Sequence, residues 1–118
     1  MSFDPSLKSA IEKAWDDRDS LTPSTGGEVR EAVEAAIGAL DRGAARVASK
    51  GDDGDWVVHE WLKKAVLFSF RLNANRIMSG GIDGGPWWDK VESKFAGWGE
   101  AEFAFSGFRA VPPAAVRK

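Results

Sequence analysis

The stretch Trp56-Val57-Val58-His59-Glu60-Trp61-Leu62-Lys63-Lys64-Ala65-Val66-Leu67-Phe68-Ser69-Phe70-Arg71-Leu72-Asn73 changes its period in the middle. From Glu60 onward Trp61, Leu62, Ala65, Val66, Leu67, Phe68, Phe70 and Leu72 leave only Lys63, Lys64, Ser69 and Arg71 as clearly polar interior positions. So wide an apolar surface implies a helix buried on more than one side. Upstream, Arg46-Val47-Ala48-Ser49-Lys50 and Asp55-Trp56-Val57-Val58-His59 flank Gly51-Asp52-Asp53-Gly54, a turn built of residues that tolerate positive φ. That pattern reads as a β-hairpin. A lone hairpin is marginal in water, so this one must lean on the helix that follows it.

Toward the N-terminus the pattern is helical. Asp4 as cap and Pro5 at the first helical position precede Leu7, Ile11, Ala14 and Trp15, and this helix should end near Arg18. After Ser20-Leu21-Thr22-Pro23, the run Thr25-Gly26-Gly27-Glu28 has capping-box spacing. Val29, Val33, Ile37 and Leu40 then mark a second helix, closed by Gly43 as a left-handed cap. The short connector favours antiparallel packing of the pair.

Toward the C-terminus order is harder to read. Ser79-Gly80-Gly81-Ile82-Asp83-Gly84-Gly85 reads as a loop and an internal hinge. Beyond it Trp87, Trp88, Phe95, Trp98, Phe103, Phe105 and Phe108 follow no clear period, with a short helix expected from Glu100 to Phe105. Val111-Pro112-Pro113-Ala114 cannot continue a helix and reads as a rigid extended exit. The fold class is therefore α+β, mainly helical: an antiparallel helix pair, a β-hairpin, a buried third helix and an irregular aromatic-rich C-terminal part. Residues 1–110 read as one helical domain and residues 111–118 as the exit segment.

The 118 residues accommodate about one domain, large enough for a core without metals or disulfides. The chain has no Cys, which removes thiol nucleophiles and thiolate metal sites and fits a reducing compartment. A formal net charge of -2 argues against a general nucleic-acid binder. No apolar run approaches a membrane span, and no signal core follows Met1, so the reading is soluble and cytoplasmic. Six Trp and seven Phe with no Tyr, all but Phe3 and Trp15 between Trp56 and Phe108, give the two halves different structural roles.

Few residues offer chemistry. His59 is the only histidine, which excludes a multi-histidine metal site; at a strand-to-helix junction a hydrogen-bonded structural role is favoured over a general base. Asp52, Asp53 and Asp55 lack the terminal Glu and the length of a calcium loop, which favours a solvated turn. The glycines around Gly80 and Gly84 have neither the preceding strand nor the Gly-Lys-Ser/Thr of a phosphate cradle. Adjacent Lys63 and Lys64 point in different directions on a helix, so one solvated and one snorkelling lysine are favoured over a shared anion site. Trp87-Trp88 could stack on rings of a ligand, but core packing of at least one is favoured. Arg109 follows Gly107-Phe108 and precedes the Pro-Pro segment, where a bidentate grip on a carboxylate is geometrically feasible; a plain surface arginine is the simpler reading.

Several runs together resemble one family, the bacterial tetrahydrodipicolinate N-succinyltransferases of diaminopimelate and lysine biosynthesis. They are Leu21-Thr22-Pro23, Val29-Arg30-Glu31-Ala32-Val33, Leu40-Asp41-Arg42-Gly43, Trp56 to Leu67, Ser69 to Asn73, Asp89-Lys90-Val91, Lys94-Phe95 and Gly107 to Arg117. The segment Trp56 to Asn73 is the most specific. Departures are the Gly-rich loop with Trp87-Trp88, and Glu92 where relatives often have proline.

The resemblance implies the mainly helical N-terminal domain of an acyltransferase. Family members continue past the Pro-Pro segment into a left-handed β-helix of hexapeptide repeats, absent from this chain, which forms homotrimers with active sites between subunits. Succinyl-CoA is the donor and a dicarboxylate the acceptor; no tightly bound cofactor, metal, nucleic acid or membrane is expected. The resemblance places the catalytic base and the coenzyme-binding residues outside this sequence, so the region alone is expected to be inactive. One functional residue carries over: the arginine of the Gly-Phe-Arg motif, here Arg109, contacts the acceptor. A stand-alone protein-interaction module derived from such a domain is the rival reading.

Overall fold

In the order of the chain, the structure has helix α1 (Ser6–Trp15), a 3-10 turn (Arg18–Ser20), α2 (Gly27–Asp41), strands β1 (Ala48–Lys50) and β2 (Trp56–Val58), and α3 (Glu60–Leu72). Strand β3 (Arg76–Met78), a short turn (Ile82–Gly84), β4 (Trp87–Asp89) and α4 (Glu100–Ser106) follow. This computed structural model describes residues 4–118, Ile82 by its backbone only. The first three residues of the expected 1–110 domain lie outside that range. The described chain is mainly helical with two small antiparallel strand pairs, an α+β arrangement, and contains no β-helix. It divides into two units, the first ending at Ala74 and the second beginning at Asn75.

In the first unit three helices enclose the core. Asp4 starts α1 as expected: its carboxylate accepts the Ser6 N–H at 2.9 Å, a bond that lowers its pKa. The helix ends at Trp15, short of Arg18, whose guanidinium turns back to the Trp15 carbonyl at 2.9 Å and lies over the Trp15 ring. At the start of α2 the expected capping box does not form. The Thr25 hydroxyl instead accepts the Thr22 N–H within the connector, leaving Gly26 as the helix cap. The other end is as expected. Gly43, at φ 77°, lets Ala44 donate to the Ala39 carbonyl at 2.8 Å while its own N–H reaches Leu40, satisfying carbonyls that the last turn leaves open.

The buried line of α2 is rotated from the expected stripe. Val33 is buried, but its companions are Ala32, Ala36 and Ala39, while Val29, Ile37 and Leu40 flank the core half-buried. Small side chains at the centre let neighbouring helices approach closely, and the larger ones then seal the margins. From α3 the core receives Trp61, Leu62, Ala65, Phe68 and Leu72, and from α1 Ile11. Helix α3 is thus buried along one stripe and not on more than one side: Leu67 is 39% and Phe70 38% exposed. The Trp15 ring meets Phe68 at 5.4 Å between centroids, and Lys64 covers it while pairing with Glu12 at 2.7 Å. Arg30 ties the ends of two helices together, donating to the carbonyls of Pro23 (2.9 Å), Thr25 and Leu72 (2.8 Å).

The first hairpin forms in the place the sequence implies, pairing Ala48 with Val58, Ser49 with Val57 and Lys50 with Trp56, but the expected support from α3 does not cover it: Trp56, Val57 and Val58 are all exposed. The second was not legible as such. The Gly-rich stretch is its connection, and β3 pairs with β4 in the register Arg76 to Asp89, Ile77 to Trp88 and Met78 to Trp87. The Gly81 N–H donates to the Gly85 carbonyl at 2.7 Å, and a Cβ at Gly81 would collide with that same oxygen. Only glycine permits this closure.

Candidate functional site

The second unit carries the chemistry-bearing C-terminal residues, and its order is set by aromatic rings. The Ser93 hydroxyl accepts the Phe95 N–H at 3.1 Å, turning the chain toward Trp98. Helix α4 starts where the Glu102 carboxylate accepts the Gly99 N–H at 2.8 Å. That backbone bond is the main reason the Glu102 pKa lies below its ordinary value. One turn of helix then brings Phe103 against Phe95 (5.1 Å) and edge-on to Trp98 (5.0 Å). Phe108 joins both rings at 5.9 and 6.2 Å. Phe105, on the other side of this helix, is 95% exposed.

Arg109 follows the ring that closes the cluster. Its side chain is exposed and makes no hydrogen bond or ion pair with any described residue. Three residues on, Pro112, Pro113 and Ala114 form one wall of a cavity of about 350 Å³, and Gly80, Gly81, Asp83 and Trp87 form the other. The chain turns here, through the cis Pro112–Pro113 peptide, with Ala114 N–H donating to Val111 O at 2.9 Å. Residues 116–118 then run back beside residues 92–94: Lys94 N–H donates to Val116 O and Lys118 N–H to Glu92 O, both at 2.9 Å. Arg117 Nη2 donates to Asp89 Oδ2 at 2.9 Å. The Lys90 backbone N–H, opposed by partial desolvation and aided by Arg117, holds the Asp89 carboxyl below the usual range.

The other sequence candidates fall where structural roles place them. His59 Nε2 shares a 2.8 Å hydrogen bond with Ser49 Oγ, and its backbone N–H donates to Val47 O, so it joins the first hairpin to α3. Lys63 is exposed and Lys64 is the snorkelling member of the pair. Asp53 accepts the Asp55 N–H at 2.9 Å inside an exposed turn. Among the described residues no group of three or more His, Asp or Glu is placed to hold a metal ion. The expected burial of one tryptophan of the Trp87-Trp88 pair does not occur: they are 44% and 65% exposed. Adjacent residues of a strand face opposite sides, and a two-stranded ribbon covers neither. The cavity and the Asp89–Arg117 pair were missed from sequence, because strands of three residues carry too little alternation to reveal the second hairpin. No helix among the described residues is long and apolar enough to cross a membrane.

Residues 6–72 match the family model described as "Tetrahydrodipicolinate N-succinyltransferase N-terminal". A 2,3,4,5-tetrahydropyridine-2,6-dicarboxylate N-succinyltransferase of Maricaulis maris is 65% identical over 115 residues, 98% of this chain and 42% of that protein. Proteins of the same name from Ruegeria pomeroyi and Allorhizobium ampelinum are 59% and 58% identical, over 95% of this chain and 41% and 39% of their own lengths. The chain thus spans about two fifths of the length of the relatives it matches.

Proposed function

The chain belongs to the tetrahydrodipicolinate N-succinyltransferase family, and we propose that it is the acceptor-gripping N-terminal part of a cytoplasmic, homotrimeric transferase. In this reading the enzyme moves a succinyl group from succinyl-CoA to the amino group of ring-opened tetrahydrodipicolinate. The amino nitrogen attacks the thioester carbonyl, the carbon–sulfur bond breaks, coenzyme A leaves as its thiol, and the nitrogen loses its proton to a base outside this sequence. Residues 1–110 act as the N-terminal domain, and 111–118 lead toward the catalytic part.

The observation that carries the reading is the state of Arg109. It is exposed, has no hydrogen bond or ion pair with any described residue, and follows a ring held against Phe95 and Trp98. A planar, permanently charged guanidinium so placed matches one carboxylate of a dicarboxylate acceptor in two parallel hydrogen bonds. Succinyl-CoA, by contrast, needs a surface for the coenzyme that this region does not offer in the proposal.

The test is steady-state kinetics of the full-length transferase. Losing hydrogen bonds to a charged group costs about 1.5–3 kcal/mol, so Arg109→Ala should raise the acceptor KM about tenfold or more and leave the succinyl-CoA KM nearly unchanged. Equal effects on both substrates would remove the role. In the same assay the present region alone should give no turnover, and activity at an enzymatic rate would sink the assignment of the catalytic base elsewhere. Exposure of Trp88 and Phe105 supports a second reading, a stand-alone interaction module. That reading requires a full-length protein without transferase activity.

A further inference from the structure

Arg109 begins a segment that is fastened at both ends. At one end Phe108 is seated against Phe95 and Trp98. At the other, residues 116–118 are held by two backbone hydrogen bonds to residues 92–94 and by the Arg117–Asp89 ion pair at 2.9 Å. Between the fastenings lies the turn whose Pro112, Pro113 and Ala114 form one wall of the cavity. Asp89 ends the strand that carries Trp87, a residue of the opposite wall. The ion pair therefore joins the strand bearing one wall to the segment bearing the other.

The two arginines of this segment differ in what they hold. Arg117 is committed to Asp89, whereas Arg109 has no partner among the described residues. We propose that Asp89 and Arg117 are positioning residues, which brace the segment 109–118 so that Arg109 presents its guanidinium to the acceptor carboxylate. This rests on the reading of Arg109 given above. An isolated pair with side chains 38% and 55% exposed would contribute little. Here it works with two backbone hydrogen bonds in one short ribbon, so its loss is felt as a shift in aim more than as a loss of stability. Bidentate recognition is sensitive to such shifts, because both N–H groups must line up with both oxygens.

The experiment uses the full-length transferase and reads both KM values. Asp89→Arg sets two guanidinium groups against each other, and should raise the acceptor KM about fivefold, the upper range for an exposed pair. The succinyl-CoA KM should stay within about twofold. Combining Asp89→Arg with Arg117→Asp restores the pair in reverse and should bring the acceptor KM back, which a general loss of folding would not do. Adding Asp89→Arg to Arg109→Ala should cost no more than Arg109→Ala alone, since the brace acts through Arg109. An unchanged acceptor KM in Asp89→Arg, a parallel rise in both KM values, or failure of the reversed pair to rescue would overturn the proposal. If Arg109→Ala raises the acceptor KM and Asp89→Arg does not, only the brace falls. If Arg109→Ala itself has no effect, the grip on the acceptor falls and the brace with it.

Discussion

The two units dispose of their apolar side chains in opposite ways. In the first, Ile11, Val33, Leu62 and Phe68 are sealed among three helices. In the second, no described residue is fully buried; four rings share a half-covered cluster, while Ile77, Trp88 and Phe105 stand open at 69%, 65% and 95% exposure. Aromatic content does not by itself explain this, because the second unit is the denser in Trp and Phe and yet buries them less. Layering does: three helices each contribute a stripe to a common interior, whereas a two-stranded ribbon and a seven-residue helix cannot close around one. The fully buried side chains thus lie before Ala74, whereas exposed apolar groups occur in both units, Trp56 and Val58 of the first hairpin at 66% among them.

This contrast can be broken most directly at Phe68. Truncation to alanine should cost about 3–5 kcal/mol in denaturant unfolding, the usual cost of emptying a fully buried phenylalanine site. An unchanged midpoint would mean that the three-helix interior does not govern stability. Arg30→Ala should cost less, about 2–3 kcal/mol, because three backbone carbonyls lose a charged donor where α2 begins and α3 ends. Arg30→Lys should recover only part of it, since an ammonium cannot serve the forked arrangement. At the far end of the scale, Phe105→Ser should change stability by no more than about 0.5 kcal/mol and improve solubility. A large loss there would show that the second unit hides an interior of its own.

Legibility in the sequence follows the same division. The caps at Asp4 and Gly43, the hairpin around Gly51 to Gly54, helix α3 and the structural duty of His59 are all readable, since each depends on neighbours a few residues away. The rotation of the α2 stripe toward Ala32, Ala36 and Ala39 was not, because a count of large apolar residues undervalues alanine where helices must come close. The Thr25 capping box failed for a related reason: Thr22 offered its hydroxyl a nearer backbone donor. Arg109 was singled out by its motif position, but that it has no hydrogen bond or ion pair among the described residues is visible only in the folded chain.

What the sequence by itself determined is the set of elements whose signals are local: helix period, turn glycines, capping carboxylates and the family motifs from Trp56 to Asn73. Tertiary structure alone decided the second hairpin, the cavity between the Gly-rich connection and the Pro-Pro turn, and the pairing of Arg117 with Asp89. These join residues far apart along the chain through strands of only three residues. No local pattern encodes such a contact, because its partners are chosen by where the intervening chain folds back and not by their own neighbours.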